Sequence, residues 1–304
     1  MKNFINYYYG FNISNIYFNN GKYLFYNGQQ KYLLKICNNS NLSFYYQDFS
    51  YQLNQYNYFF SIVLNKDGNY ITWIENKPYV LLKLSNIEND KISIFDIKTD
   101  LMVQINSKLS IINRFPWIKL WESKIDYFEE WLSTKYTDYK SIYPLFHYFI
   151  GIAENALLYL KQSELEEKKE SSDDLVISHD RLSLDYELYD YYDPTNIIID
   201  HASRDISEYI KSMFINRIWD LDLIKKYLEK HYFSRYGLRM LLARILFPSF
   251  FFDYLEEMIV SNSSIDLLYL ESRADEFHNF IKDINLFFYE TYNIPVIPWI
   301  IKKM

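Results

Sequence analysis

Two short apolar segments, LVISH (Leu175–His179) and NIIID (Asn196–Asp200), constrain this chain more than any other feature. Both read as buried strands. The first runs into His179 and Asp180, and the second delivers Asp200 at what reads as its exposed end. DISEYIKSMF follows with helical spacing and opens on Asp205. Two strand-end aspartates about twenty residues apart can present a base and a metal ligand to a phosphoryl group. Transfer of that group relies on positioning and on charge neutralisation by a divalent cation. Any acidic loop between two buried strands has the same spacing, so the spacing alone is a weak signal.

The N-terminal part predicts a sheet. ISNIYFNN turns at Asn20-Gly21 into KYLFYNG, which turns at Asn27-Gly28 into QQKYLLKIC. Asn-Gly between β-rich runs is the strongest short hairpin signal. Apolar spacing predicts a helix over 42–60, and SIVLN, NYITWIEN and PYVLLKL predict three more strands with a turn at Lys66-Asp67-Gly68. From Ile87 the period becomes helical, over 105–112, 117–132 and 142–160. Residues 163–174 (SELEEKKESSDD) read as a solvated connector. Further helices are expected near 205–216, 220–233, 235–247, 249–261 and 271–291. The class is α+β and bilobal: a small β-rich lobe over 1–84 and a larger helical lobe over 85–304.

Composition narrows the function classes. A net charge of −7 gives no overall attraction to nucleic acid. The 32 Tyr and 23 Phe, with abundant Asn, Ile and Lys, fit an A+T-rich genome, so single tyrosines carry little weight. Cys37 is the lone cysteine; it excludes an intramolecular disulfide and reads as a small buried hydrophobe. The start of the chain has no signal-peptide pattern. The apolar runs 142–160 and 238–252 are interrupted by charged residues and prolines, so both read as buried helices and no membrane span is expected.

The order of elements and the aspartate pair resemble the protein-kinase-like fold of the aminoglycoside phosphotransferase branch. IKLWESKIDYFEEWL, DHASRDISEYIKSMF and GLRMLLARILFPSFFFDYLEE are similar to spore coat proteins of the YutH type, relatives of the CotS group. The resemblance implies that Lys35, in YLLKIC, stands where relatives carry a phosphate-holding lysine. ISHDRL is similar to the catalytic-loop string His-Gly-Asp-Leu: His179 and Leu182 match, Asp180 falls on the glycine and Arg181 on the catalytic aspartate. Asp200 corresponds to the metal-binding aspartate, and Asp205 to the one that opens the next helix.

Departures from that pattern are many. No glycine-rich loop covers a phosphate site, helix 42–60 has Asp48 but no glutamate for Lys35, the second metal-ligand asparagine is missing, and arginine at 181 accepts no proton. The acidic run Asp185–Asp193 lacks the glycine and terminal glutamate of an EF-hand loop, and no HExxH, paired-cysteine or Gly-x-Ser-x-Gly motif occurs. The residue-level expectations are plain ones: a structural His179, Asp200 as a loop-fixing acceptor, Asp205 as a helix N-cap worth about 1 kcal/mol, and Arg204 paired with an acid of the loop. The chain thus reads as a catalytically degenerate kinase-like component of a bacterial spore coat, made in the cytoplasm, with other coat or morphogenetic proteins as partners and no cofactor. An active Mg-ATP phosphotransferase on a small hydroxyl- or amino-bearing substrate, using Asp180 and Asp200, is the alternative. A module that binds nucleotide without turnover is the third reading.

Overall fold

Asn20 and Gly21 both have positive φ, 46° and 77°, which is the twist that joins two antiparallel strands through a two-residue turn. They connect β1 (Ile16–Asn19) to β2 (Lys22–Asn27). The second hairpin turns one residue later than expected: Asn27 still pairs with Gln30, and Gly28 at φ 62° begins the loop into β3 (Gln30–Ile36). With β4 (Ser61–Val63), β5 (Thr72–Ile74) and β6 (Lys77–Lys83), these form an antiparallel six-stranded sheet in the order β1-β2-β3-β6-β4, β5 lying against β6. The computed structural model of the chain describes residues 1–39, 41–57, 59–135, 140–261, 263 and 265–301.

Two helices belong to this region. Lys2–Tyr9 (α1), which has no counterpart among the expectations above, caps one face of the sheet through Ile5. Leu42–Leu53 (α2) covers the other with Leu42, Tyr45, Phe49 and Leu53; it is shorter than the 42–60 its spacing suggested. Asp48 on α2 turns to Lys108 at 3.1 Å, away from Lys35.

The rest is helical around one ribbon, β7 (Leu175–His179) antiparallel to β8 (Ile197–His201). The helix expected over 105–112 is reduced to a single turn, Leu109–Ile112. The chain on either side is held extended instead: Val103 N donates to Leu175 O at 3.2 Å and Arg114 N to Ile199 O at 2.8 Å, so both ribbon edges are satisfied. Trp117–Lys135 (α3), Tyr143–Glu166 (α4), Leu188–Tyr191 (α5), Arg204–Ile215 (α6), Leu221–Lys230 (α7), Arg235–Leu246 (α8), Ser249–Ser261 (α9), Leu267–Tyr292 (α10) and Pro298–Ile301 (α11) complete the chain. α4, apolar nearly all round, packs against α3, α8 and α10.

The 163–174 segment is not a free connector. α4 continues to Glu166, and Glu166 and Glu167 receive Arg239, itself 2% exposed, at 2.7 and 3.0 Å. Asp173 is buried, accepting Ser234 Oγ at 2.7 Å. Gly237 on α8 lies so close that a Cβ there would sit 2.8 Å from Asp173 Oδ1. No helix among the described residues is long and apolar enough to cross a membrane.

Candidate functional site

β8 is buried along its whole length, so Asp200 is not at an exposed end but wholly enclosed. Both of its oxygens are in use. Oδ1 accepts Trp117 Nε1 at 2.8 Å and the His201 backbone N–H at 2.7 Å; Oδ2 accepts Arg204 Nη1 at 2.5 Å. Arg204 is also buried. Its Nε donates to His179 O at 2.9 Å, and its Nη2 to Asp180 O at 2.6 Å and Asp180 Oδ1 at 3.2 Å. One guanidinium therefore ties the strand-end loop to Asp200 and supplies the positive charge beside that carboxylate. The expectation that Arg204 pairs with an acid of the loop is met by Asp180. Burial opposes the arginine's charge, but Asp200, Glu208 and Asp180 outweigh it and raise its pKa.

A divalent cation, which the kinase-like resemblance implies at Asp200, does not fit this arrangement. It would have to displace a charge-assisted hydrogen bond and leave a buried guanidinium against it. Among the described residues no three His, Cys, Asp or Glu side chains are grouped to hold a metal ion.

His179 is bonded at both ring nitrogens, to a partner that was not foreseen and to a backbone carbonyl. Its Nδ1 lies 2.7 Å from Asp205 Oδ2, its Nε2 lies 2.8 Å from Tyr191 O, and its ring stacks on Tyr191 at 4.3 Å. Asp205 Oδ1 accepts the His179 backbone N–H at 2.8 Å. Asp205 is thus not the N-cap of α6: that position falls to Ser203, which makes no side-chain cap bond, and the Asp205 carboxylate is spent on the loop. Asp180 keeps a side chain 71% exposed. Arg181 is half-exposed, 2.9 Å from Asp253 and 3.5 Å from Glu208.

Lys35 is held across the lobes. Its Nζ lies 2.5 Å from Asp193 Oδ2, with Thr195 Oγ1 at 3.2 Å. Burial would lower its pKa; Asp193 more than offsets this and raises it. Two more lysines do the same: Lys22 reaches Asp190 at 2.7 Å and Lys31 reaches Tyr189 Oη at 2.6 Å. Tyr189 packs on Phe60 at 5.6 Å, and Phe60 N donates to Tyr192 O. The acidic, tyrosine-rich run after the loop therefore fastens the sheet to the helical lobe, while a cavity of about 340 Å³ between Asn39 and Asn41 on one side and Asp180, Thr195 and Asn196 on the other stays open. A nucleotide phosphate at Lys35 would strip Asp193, 1% exposed, of its cation, at a cost of several kcal/mol.

Glu208, Lys211, Arg244 and Trp117 were not singled out from the sequence. Glu208, buried, is 2.7 Å from Lys211 and 2.9 Å from Arg244, whose guanidinium lies over the Trp117 ring at 4.6 Å. Glu208 and Lys211 are three apart on α6, the i,i+3 signal that could have flagged them. Burial, with Arg244 and Arg181 nearby, lowers Lys211 to about 8 despite Glu208. The folded state then holds its proton less tightly than the unfolded chain. The charged lysine costs stability in full below pH 8, and that cost fades as pH rises toward 10.5, the lysine's ordinary value. Relative to wild type, Lys211→Met should lose about 2–3 kcal/mol of its advantage between pH 7 and pH 10 in urea unfolding. Parallel curves for the two proteins would contradict this.

The fold is that of the kinase-like phosphotransferases. An aminoglycoside phosphotransferase from Alicyclobacillus acidocaldarius superimposes with a TM-score of 0.57 at 9% identity, covering 94% of this chain and 93% of that one. A spectinomycin phosphotransferase, in complex with ADP and spectinomycin, does so with a TM-score of 0.51 at 9% identity, covering 93% and 92%. At such identities the likeness is one of fold. Within that class, the family described as Spore coat putative kinase YutH matches residues 2–290, and the chain belongs to it. The endospore coat-associated protein YutH of Bacillus subtilis (strain 168) is 28% identical over 176 residues, 52% of this chain and 50% of that protein. The match thus spans about half of that relative's length.

Proposed function

We propose that this protein is a catalytically degenerate kinase-like component of the bacterial spore coat, acting through contacts with other coat or morphogenetic proteins. Family membership supports the coat assignment. The observation that carries the catalytic half is the Arg204 guanidinium on Asp200, where phosphoryl transfer needs a metal. The Lys35–Asp193 pair supports it from the other side of the cleft. Arg181, at the position of the catalytic base, has no acceptor for a proton.

Asp180 is the exposed carboxylate left in the loop, so it gives the decisive variant. The chain and its Asp180→Asn form are expected to reach the coat of sporulating cells equally well. Neither is expected to release phosphate from Mg-ATP faster than buffer. Phosphate release by the wild type that Asp180→Asn abolishes would overturn the degenerate reading and favour an active phosphotransferase.

A further inference from the structure

Beside the Asp200–Arg204 pair, lined by side chains of the helical lobe, lies a cavity of about 240 Å³. Six basic side chains line it, Arg114, Lys124, Arg181, Arg204, Lys211 and Arg244, against two acids, Asp180 and Asp253. This is a marked reversal in a chain of net charge −7. Aromatic rings line it as well: Trp121 stacks on Phe247 at 4.4 Å and on Trp117 at 5.8 Å.

Several of these cations are already spent. Arg204 serves Asp200 and Asp180, Lys124 lies 2.7 Å from Glu256, and Arg181 lies 2.9 Å from Asp253. Lys211 and Arg244 are different. Both are buried, and both lean on the single carboxylate of Glu208, with Asp200 acting on Arg244 at longer range, so Glu208 alone does not balance the pair. Arg244 uses Nε and Nη2 on Glu208, and its Nη1 donates to no group among the described residues. Lys211 adds Ser249 Oγ at 3.0 Å, a hydroxyl at the same wall. A buried charge without its counter-charge is costly, and a bound anion would supply what the wall lacks.

We infer that this cavity is a binding site for a phosphate-type oxyanion, held by Lys211, Arg244 and Arg181, with the Trp121–Phe247 wall available to an apolar substituent on it. The depressed pKa of Lys211 and that of Arg244, lowered to about 10 by burial and by Arg204, are consistent with an electropositive wall. At this volume the site suits a small ligand, below the usual range of roughly 300–1,000 Å³ for larger ones. The inference does not depend on whether the Asp180 loop is catalytically active.

The test uses the full chain and its Arg181→Gln and Lys211→Met forms. Inorganic phosphate, sulfate and phenyl phosphate are titrated at constant ionic strength against chloride, and thermal unfolding and tryptophan fluorescence are followed. Phosphate and sulfate should raise Tm saturably above chloride, with affinity at least tenfold weaker in both variants. Phenyl phosphate that binds more tightly and changes the fluorescence assigns the site to a phosphomonoester; equal affinity with no fluorescence change assigns it to the free ion. No saturable effect over chloride, or binding unchanged in both folded variants, would overturn the proposal. Arg181 is half-exposed, so its variant keeps the test valid if Lys211→Met does not fold.

Discussion

Arg204→Met is expected to destabilise the protein by about 3–5 kcal/mol, a fall in Tm of roughly 5–8 °C. The loss is large because three acceptors depend on one side chain: Asp200 Oδ2, His179 O and the Asp180 carbonyl. Asp200 is wholly buried, so removing the guanidinium leaves a carboxylate without its paired cation, with Arg244 acting only from further away. Trp117 Nε1 and the His201 N–H still donate to it, which limits the damage but does not neutralise it. The double variant Asp200→Asn with Arg204→Met should recover much of the loss, because the orphaned charge is gone. A coupling of 2 kcal/mol or more between the two sites is the expected signature. If Arg204 were only a loosely placed surface arginine, the single variant would cost less than about 1 kcal/mol and the cycle would show no coupling.

Asp205→Ala is expected to cost about 3–5 kcal/mol, whereas Asp205→Asn should cost under about 1.5 kcal/mol. The carboxylate receives the His179 backbone N–H and faces its Nδ1, and all of these groups are buried. Alanine leaves the N–H and the ring nitrogen without partners. Asparagine can still accept the backbone N–H with its carbonyl and donate its amide to Nδ1, while the ring N–H at Nε2 keeps its bond to Tyr191 O. A residue that merely caps a helix would cost about 1 kcal/mol on going to alanine. Chemical denaturation of the two variants separates these accounts.

Which of these features could be read from the sequence depends on how local their causes are. The Asn20-Gly21 turn was legible because the requirement for positive φ lies within the two residues. The second turn shifted by one because Asn27 finds a ladder partner in Gln30, and strand pairing fixes the register. The helix expected at 105–112 failed because its flanks bond to β7 and β8, partners some 70 residues or more away. The lobe order was legible, since apolar runs and their period carry it, whereas Asp200 was expected at an exposed strand end and lies buried within β8. The partners of Asp200 were not: Trp117 lies 83 residues before it, and no spacing rule joins them. The spacing of the acidic run from Asp185 to Asp193 departs from that of an EF-hand loop but does not tell what its carboxylates meet instead. The run's tie to the sheet through Lys22 and Lys35, 168 and 158 residues away, needed the fold. Asp205 was placed at the start of its helix but given the wrong bond, because a capping carboxylate and one aimed at a neighbouring strand look alike in sequence.

We propose that Arg204 and Asp193 occupy the places that a metal and a nucleotide phosphate would take, and calorimetric titration of the full chain with ATP and Mg²⁺, with Lys35→Ala and Asp200→Ala alongside, is the test. No saturable heat that depends on Lys35 or Asp200 is expected at millimolar nucleotide. The proposal would be contradicted by a wild-type isotherm that either variant abolishes while remaining folded.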